Sequence, residues 1–288
     1  MFFIQLLSKI PFSLLHIIST FLAFVTGKII RYRRDVVAEN IKIAFPKKSG
    51  AERKKIVDGF YTNLSDVALE SIKSLSMSKE DMKQHFKVKN PEVFNKFHDK
   101  NQPVILMCGH VCNWEWQMTG FAANFDFGFG AVYKPLEGKF SEQLMQQIRS
   151  RFGGYVVPMA NTMRQILVRK KKGENFGFGM VSDQSPPGYD RKRIWIDFFG
   201  RPSAFFAGPE VITGSMKIPV IYSRIIRTGR SQYEAELFEI YDGGEYEKGS
   251  NLVLKKYAQL VEENIKAQPS NWLWSHKRWK YTKEEMGE

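Results

Sequence analysis

The chain is 288 residues long, 43% hydrophobic and 25% charged, which excludes a disordered polymer and leaves ample material for a buried core. Its 43 Lys and Arg against 30 Asp and Glu give a net charge of +13, so its partners are anionic: nucleic acid, acidic lipid headgroups or a phosphorylated carrier. Two cysteines, Cys108 and Cys112, exclude a disulfide framework and suit a reducing compartment.

From Ile10 to Gly27 the sequence carries no Lys, Arg, Asp or Glu, and its length is near the lower limit of about 17 residues for a membrane-spanning helix. Pro11 and His16 weaken it as a deep span. Lys28, Arg31, Arg33 and Arg34 follow at once. If the segment spans, these cations place the rest of the chain in the cytoplasm; if it lies flat, they hold acidic headgroups. A cleaved signal peptide fits poorly, because FVTGKII is a weak cleavage site. A buried core helix is the plainer alternative. We therefore expect a membrane anchor or interfacial helix over residues 1–34 and a second unit over 35–288, helical at 35–75 with an α/β core from about 86 onward.

Between Asp35 and Leu75, VVAENIKIAF and ERKKIVDGFYTNLSDVALESIK carry apolar residues at three- and four-residue intervals, as amphipathic helices do. From Val104 short apolar runs alternate with helical patterns. PVILMCG, FGFGAVY, GYVVP and NFGFGMVSD read as strands. NWEWQMTGFAANF, GKFSEQLMQQIRSRFG and NTMRQILVRKKKG read as the helices between them. IPVIYSRIIR and QYEAELFEIY predict a hairpin around Thr228–Ser231, and NLVLKKYAQLVEENIKA a closing helix. This alternation predicts an α/β fold: a single domain with a mostly parallel or mixed central sheet flanked by helices, behind a helical, membrane-associated amino terminus.

The stretch CGHVCNWEW follows the first expected core strand, at the position where open α/β sheets bind ligands. His110 and Glu115 are five residues apart. Within one regular helix their directions would differ by about 140°, so they would not touch. With His110 just before the helix and Glu115 in its first turn, a bent entry lets the carboxylate fix one imidazole nitrogen and frees the other to accept a proton. Equally, His110 is an ordinary residue at a helix start and Glu115 merely complements the helix dipole. Cys108, His110 and Cys112 would give zinc three ligands but lack a fourth at the usual spacing, so no metal and no cofactor is assigned.

The motif GHVCNWE resembles the H-x4-D/E element of glycerolipid acyltransferases, and more closely that of the late acyltransferases of lipid A biosynthesis. VYKP, IRSRFGGYVVP, VSDQSP, FFGRPSAFFAGP and NWLWSHKRWK resemble further elements of that family, in the same order, from about Arg31 to Lys280. The resemblance implies that His110 deprotonates an acceptor hydroxyl and that Glu115 orients it. The hydroxyl would attack the thioester of an acyl donor, acyl carrier protein or acyl-CoA, whose thiol leaves without help from a metal. The acceptor would be a glycolipid, a lipid A precursor within the family, on the cytoplasmic side of a bacterial inner membrane. Arg149, Arg151 and Asp183 become candidates for substrate contacts, with Asn113 and Lys134; their plainer readings are solvated helix charges, a turn cap and a loop-shaping amide. NWLWSHKRWK suggests an interfacial tryptophan cluster beside basic residues. A Cys112 acyl-enzyme would need a thiol turned toward His110. Two alternatives stand beside this reading: the same chemistry on another glycolipid, an aminolipid or a lysophospholipid; or a non-catalytic basic protein at a membrane or on nucleic acid, which lacks any recognised nucleic-acid module.

Overall fold

A computed structural model describes residues 2–126, 128–188 and 192–287. The elements run α1 (Phe2–Ser8), α2 (Phe12–Phe24), α3 (Arg34–Ala44), α4 (Gly50–Lys73), α5 (Lys79–His85), β1 (Phe86–Val88), α6 (Glu92–His98), β2 (Val104–Cys108) and α7 (Trp114–Asn124). Next come β3 (Gly128–Tyr133), α8 (Lys139–Arg149), β4 (Tyr155–Pro158), α9 (Thr162–Lys171), β5 (Phe176–Val181), β6 (Arg193–Asp197) and β7 (Pro202–Phe206). The chain ends with α10 (Gly208–Met216), β8 (Val220–Gly229), β9 (Gln232–Tyr241) and α11 (Leu252–Ala267).

Among the described residues, seven strands form one sheet in the order β1-β9-β8-β2-β5-β3-β4. All neighbours are parallel except β8 and β9, the hairpin that turns at Thr228–Ser231. The fold is the expected mixed α/β sheet. β1, paired to β9, escaped the sequence reading because three residues carry no periodicity. So did the separate β6–β7 hairpin, whose strands look like loop in a segment rich in Gly, Pro and charge.

β2 is buried along its whole length, as a central parallel strand covered on both faces must be. The connection from β2 runs through α7 to β3, past β5; the connection from β5 runs back past β2 to β8. The chain therefore diverges in opposite directions from two adjacent parallel strands. This is the topological switch point, where open α/β sheets leave a crevice at the carboxyl edge.

Helix α4 begins with a full capping box, in which the Ser49 hydroxyl accepts the Glu52 N–H and the Glu52 carboxylate accepts the Ser49 N–H. The apolar α2 and the helical turn after it pack along α4 through a stripe of mostly small residues at four-residue spacing: Leu15, Ser19, Ala23 and Gly27 are all buried. At Gly27 a Cβ would sit 2.7 Å from the Tyr61 ring, so only glycine permits that approach.

Candidate active site

Register alone brings two distant residues together. β2 and β5 pair in parallel with Cys108 opposite Val181, so the residues two positions beyond each strand end, His110 and Asp183, emerge side by side. The Tyr257 hydroxyl ties the same ends, donating to the Cys108 carbonyl at 2.8 Å and accepting the Ser182 N–H at 3.1 Å. Gly109 lets the carboxylate come this close: a Cβ there would lie 3.3 Å from Asp183 Oδ2.

Asp183 is fully buried and accepts three N–H bonds. These come from His110 Nδ1 at 2.6 Å, the His110 backbone at 2.8 Å and Trp272 Nε1 at 2.7 Å. Burial by itself would raise its carboxyl, but the adjacent imidazole and these donors reverse the effect and hold it below the ordinary carboxylate value. A carboxylate only accepts, so the imidazole proton is fixed on Nδ1 and the lone pair on Nε2. Nε2 faces the side-chain amide of Gln184 at 3.3 Å. The imidazole edge meets the Trp114 ring, and 18% of the His110 side chain is exposed.

The turn carrying His110 is held on all sides. Its carbonyl accepts the Leu273 N–H at 3.0 Å, Val111 bridges to Trp272, and the Cys112 N–H reaches the Asn271 carbonyl at 2.7 Å. Cys112 occupies the left-handed region at φ +53°. Asn113, fully buried, caps α7 by accepting the Trp116 N–H and donates at 2.7 Å to Glu70 on α4. Glu70 also accepts the hydroxyls of Tyr233 and Ser231. Complete burial pushes its carboxyl up despite these donors. Asn113 thus uses both ends of its amide on the scaffold, and its expected place among the substrate contacts gives way to a capping role.

Glu115 stands in the first turn of α7, as the bent-entry argument required, but it does not meet the imidazole. Its two oxygens are gripped side by side by Arg149 Nε and Nη2, at 2.8 and 2.7 Å. The expected His110–Glu115 hydrogen bond is replaced by His110–Asp183 and Glu115–Arg149. The reason is geometric: α7 begins only at Trp114, and the extended turn before it sends His110 across to β5 while Glu115 faces α8. Arg149 is mostly buried; burial would lower its guanidinium, but the Glu115 charge more than offsets this and raises it. Arg151 is not brought to the site. Its guanidinium binds the carbonyls of Leu75 and Met77, the former at 3.1 Å, and stacks over Phe152. Lys134 is exposed just beyond β3.

Both thiols are buried, and burial pushes Cys112 up to about 12 and Cys108 higher still. Cys112 Sγ points at the Ile225 carbonyl and Gln268 Oε1, so it is turned away from the role of nucleophile. The tryptophan cluster also departs from expectation. Trp272 and Trp274 are buried, and Arg278, 1% exposed, donates to the Ala204 carbonyl and lies over the Phe205 ring. This closing motif is a clamp over the carboxyl edge of the sheet rather than a headgroup belt. Gln184 and Trp272 are the site residues that sequence reasoning passed over. Both sat inside recognised motifs, but nothing in their spacing says which atom they face.

Comparison with known proteins decides the family. The model of the bacterial lipid A biosynthesis acyltransferase family matches residues 1–281. The chain belongs to this family. Similar curated proteins include a lipid A biosynthesis palmitoleoyltransferase of Escherichia coli (strain K12), 21% identical over 275 residues, which cover 94% of this chain and 87% of that protein. A lipid A biosynthesis acyltransferase of Haemophilus influenzae (strain ATCC 51907 / DSM 11121 / KW20 / Rd) is 22% identical over 240 residues, covering 82% of this chain and 73% of the relative. The protein is accordingly an acyltransferase, and the family's reaction places an acyl chain on a lipid A-type acceptor.

Proposed function

We propose that the protein moves a fatty acyl chain from a thioester, acyl carrier protein or acyl-CoA, to a hydroxyl of a lipid A precursor at the cytoplasmic face of a bacterial inner membrane. The observation that carries this reading is the 2.6 Å bond from His110 Nδ1 to the buried Asp183, which leaves a basic nitrogen at a partly exposed rim. His110 Nε2 takes the proton of the acceptor hydroxyl as its oxygen attacks the thioester carbonyl. The resulting imidazolium is balanced by Asp183, which stays ionised because three donors hold it so. Collapse of the tetrahedral intermediate breaks the C–S bond, and the departing thiolate recovers the proton from His110. The products are an ester and a free thiol, with neutral His110 restored.

Gln184 occupies the place on Nε2 that the hydroxyl must take. Displaced from Nε2, its amide N–H is the nearest candidate donor to the developing oxyanion. Arg149 and Lys134 remain the candidates for an anionic group of the donor or acceptor. Arg149 spends two of its five N–H donors on Glu115, and Lys134 is open to solvent. The same chemistry on another glycolipid, an aminolipid or a lysophospholipid remains the alternative acceptor class, with the family match favouring lipid A.

The test offers the purified protein isotopically labelled acyl-acyl carrier protein or acyl-CoA against a lipid A precursor, a lysophospholipid and an aminolipid, with mass spectrometry of the products. Label on the lipid A precursor supports the proposal; label confined to another acceptor, or none, contradicts it.

A further inference from the structure

The mode of membrane attachment follows from how α2 is docked. Phe12–Ile29 is long and apolar enough to cross a bilayer by length and composition. Three of its polar residues, however, near the middle of the helix, are spent on the folded domain. Ser19 donates to Asp66 at 2.5 Å, His16 bonds the Ser231 hydroxyl at 2.8 Å, and Arg230 donates to Thr20 at 3.0 Å. Asp66 is buried between Arg227 and Arg230 and is ion-paired to both. If α2 crossed the membrane as docked, this three-ion cluster would lie at the depth of the acyl chains. If it undocked to cross, His16, Ser19 and the small-residue stripe would face lipid, and the Asp66 cluster would lose its cover. Either route is costly.

The opposite face tells where α2 sits instead. Leu14, Ile17, Phe21 and Phe24 are exposed, on a side about 160° from the docked stripe at 100° per residue. Phe2, Phe3 and Leu6 of α1 and Ile29 and Ile30 beyond α2 extend the apolar surface. Cations stand at both ends, Lys9 before α2 and Arg31 and Arg33 after it, with Lys28 beside them paired to Asp58. Midway, a hollow of about 440 Å³ is walled by Ile17, Phe21 and Phe24, with His16, Thr20 and the Asp66-paired Arg230 along its inner side. An apolar stripe with cations at its ends complements an anionic lipid leaflet entered to the depth of one helix.

We propose that α1 and α2 lie flat in one leaflet of an anionic membrane, docked on the domain, and do not span it. The inference rests on the membrane reading above, and it makes a structural use of the C-terminal edge. β8 runs parallel to β2, so the turn that follows it, where Ser231 and Arg230 bond His16 and Thr20 of α2, lies on the edge of the sheet that carries His110. The leaflet is thereby set on the side where the acceptor must enter.

The experiment places single reporter cysteines in the full chain, Lys9→Cys before the helix and Lys28→Cys after it, with the buried Cys108 and Cys112 of the parent as background. Intact spheroplasts and inverted membrane vesicles are treated with a membrane-impermeant maleimide. Both positions reacting only in inverted vesicles supports the proposal. Lys9→Cys reacting from the spheroplast side while Lys28→Cys does not would show a span and overturn it. So would recovery of the protein in the soluble fraction. A second variant, Ile17→Gln/Phe21→Gln/Phe24→Gln, alters only exposed side chains. It is expected to bind phosphatidylglycerol-containing vesicles at least about tenfold more weakly, with an unchanged melting temperature. Unchanged binding by this variant also overturns the proposal. None of these readouts uses acyl transfer, so they stand or fall separately from the catalytic reading.

Discussion

The Asp183 carboxylate meets His110 at two points, the imidazole Nδ1–H at 2.6 Å and the backbone N–H at 2.8 Å, so one buried charge fixes both the ring and the turn that carries it. The orienting role expected of Glu115 belongs to a residue 73 positions from the histidine. Asp183→Asn removes the charge and presents an N–H where donors already converge. The expected loss in kcat is on the order of 10³- to 10⁴-fold with KM little changed, as when a base loses its orienting carboxylate. A loss under about tenfold, measured on folded protein, contradicts the assignment.

Glu115 acts through Arg149, and the two should behave as a unit. Arg149→Met alone leaves a buried carboxylate unpaired and is expected to cost about 3–5 kcal/mol of stability. Adding Glu115→Leu should recover a large part of that in denaturant melts. Glu115→Gln should leave the shape of the kcat pH profile in place, whereas Asp183→Asn should change it. A pH profile altered by Glu115→Gln and not by Asp183→Asn would return the histidine's partner to Glu115.

Gln184→Ala removes the amide opposite Nε2. If the amide supplies an oxyanion donor, kcat falls by roughly 10²- to 10³-fold while acceptor KM stays within about twofold. A rise in KM with kcat preserved would make Gln184 a binding residue only.

Cys112→Ser should retain most of the activity, because the thiol is buried, raised to about 12 and directed at the Ile225 carbonyl. Mass spectrometry after turnover should find no acyl group on Cys112. An acylated Cys112 would replace direct transfer with a two-step mechanism.

Stability toward acid should depend on His276. Its Nε2 accepts the Ser185 N–H at 3.0 Å, and burial depresses it from 6.5 to about 4. Between these values the unfolded chain takes up a proton that the folded chain refuses, so stability falls as pH drops from about 6.5 and the loss levels off near 4. Glu70, pushed up by burial, works in the opposite sense, favouring the folded state at lower pH. The difference between the parent and His276→Gln isolates the histidine: the variant's denaturation midpoint should fall less steeply across this window. Parallel curves would contradict the assignment.

Much of this architecture was written in hydrophobic periodicity. Val104–Cys108 reads as a buried strand because every residue is apolar, and α11 reads as a helix because Val253, Leu254, Tyr257, Ala258 and Val261 recur on one face. His110 stood out because a glycine and a strand end precede it. Its carboxylate partner was a different matter. The adjacency of His110 and Asp183 arises from the pairing of β2 with β5, a choice of strand order that no local pattern encodes. Spacing leaves the role of Glu115 open and the family resemblance assigns it the imidazole, whereas the residue facing it is Arg149, on the next helix. Arg278 and the closing tryptophans misled for a similar reason: an Arg among aromatics has the composition of an interface, and only its burial between Phe198 and Phe205 shows it to be core.

If His110 Nε2 removes the proton from the attacking hydroxyl, single-turnover transfer from labelled acyl-acyl carrier protein to a lipid A precursor by His110→Ala should run at least about 10³-fold below that of the parent at equal folded concentration. Transfer at the parent rate would contradict that role.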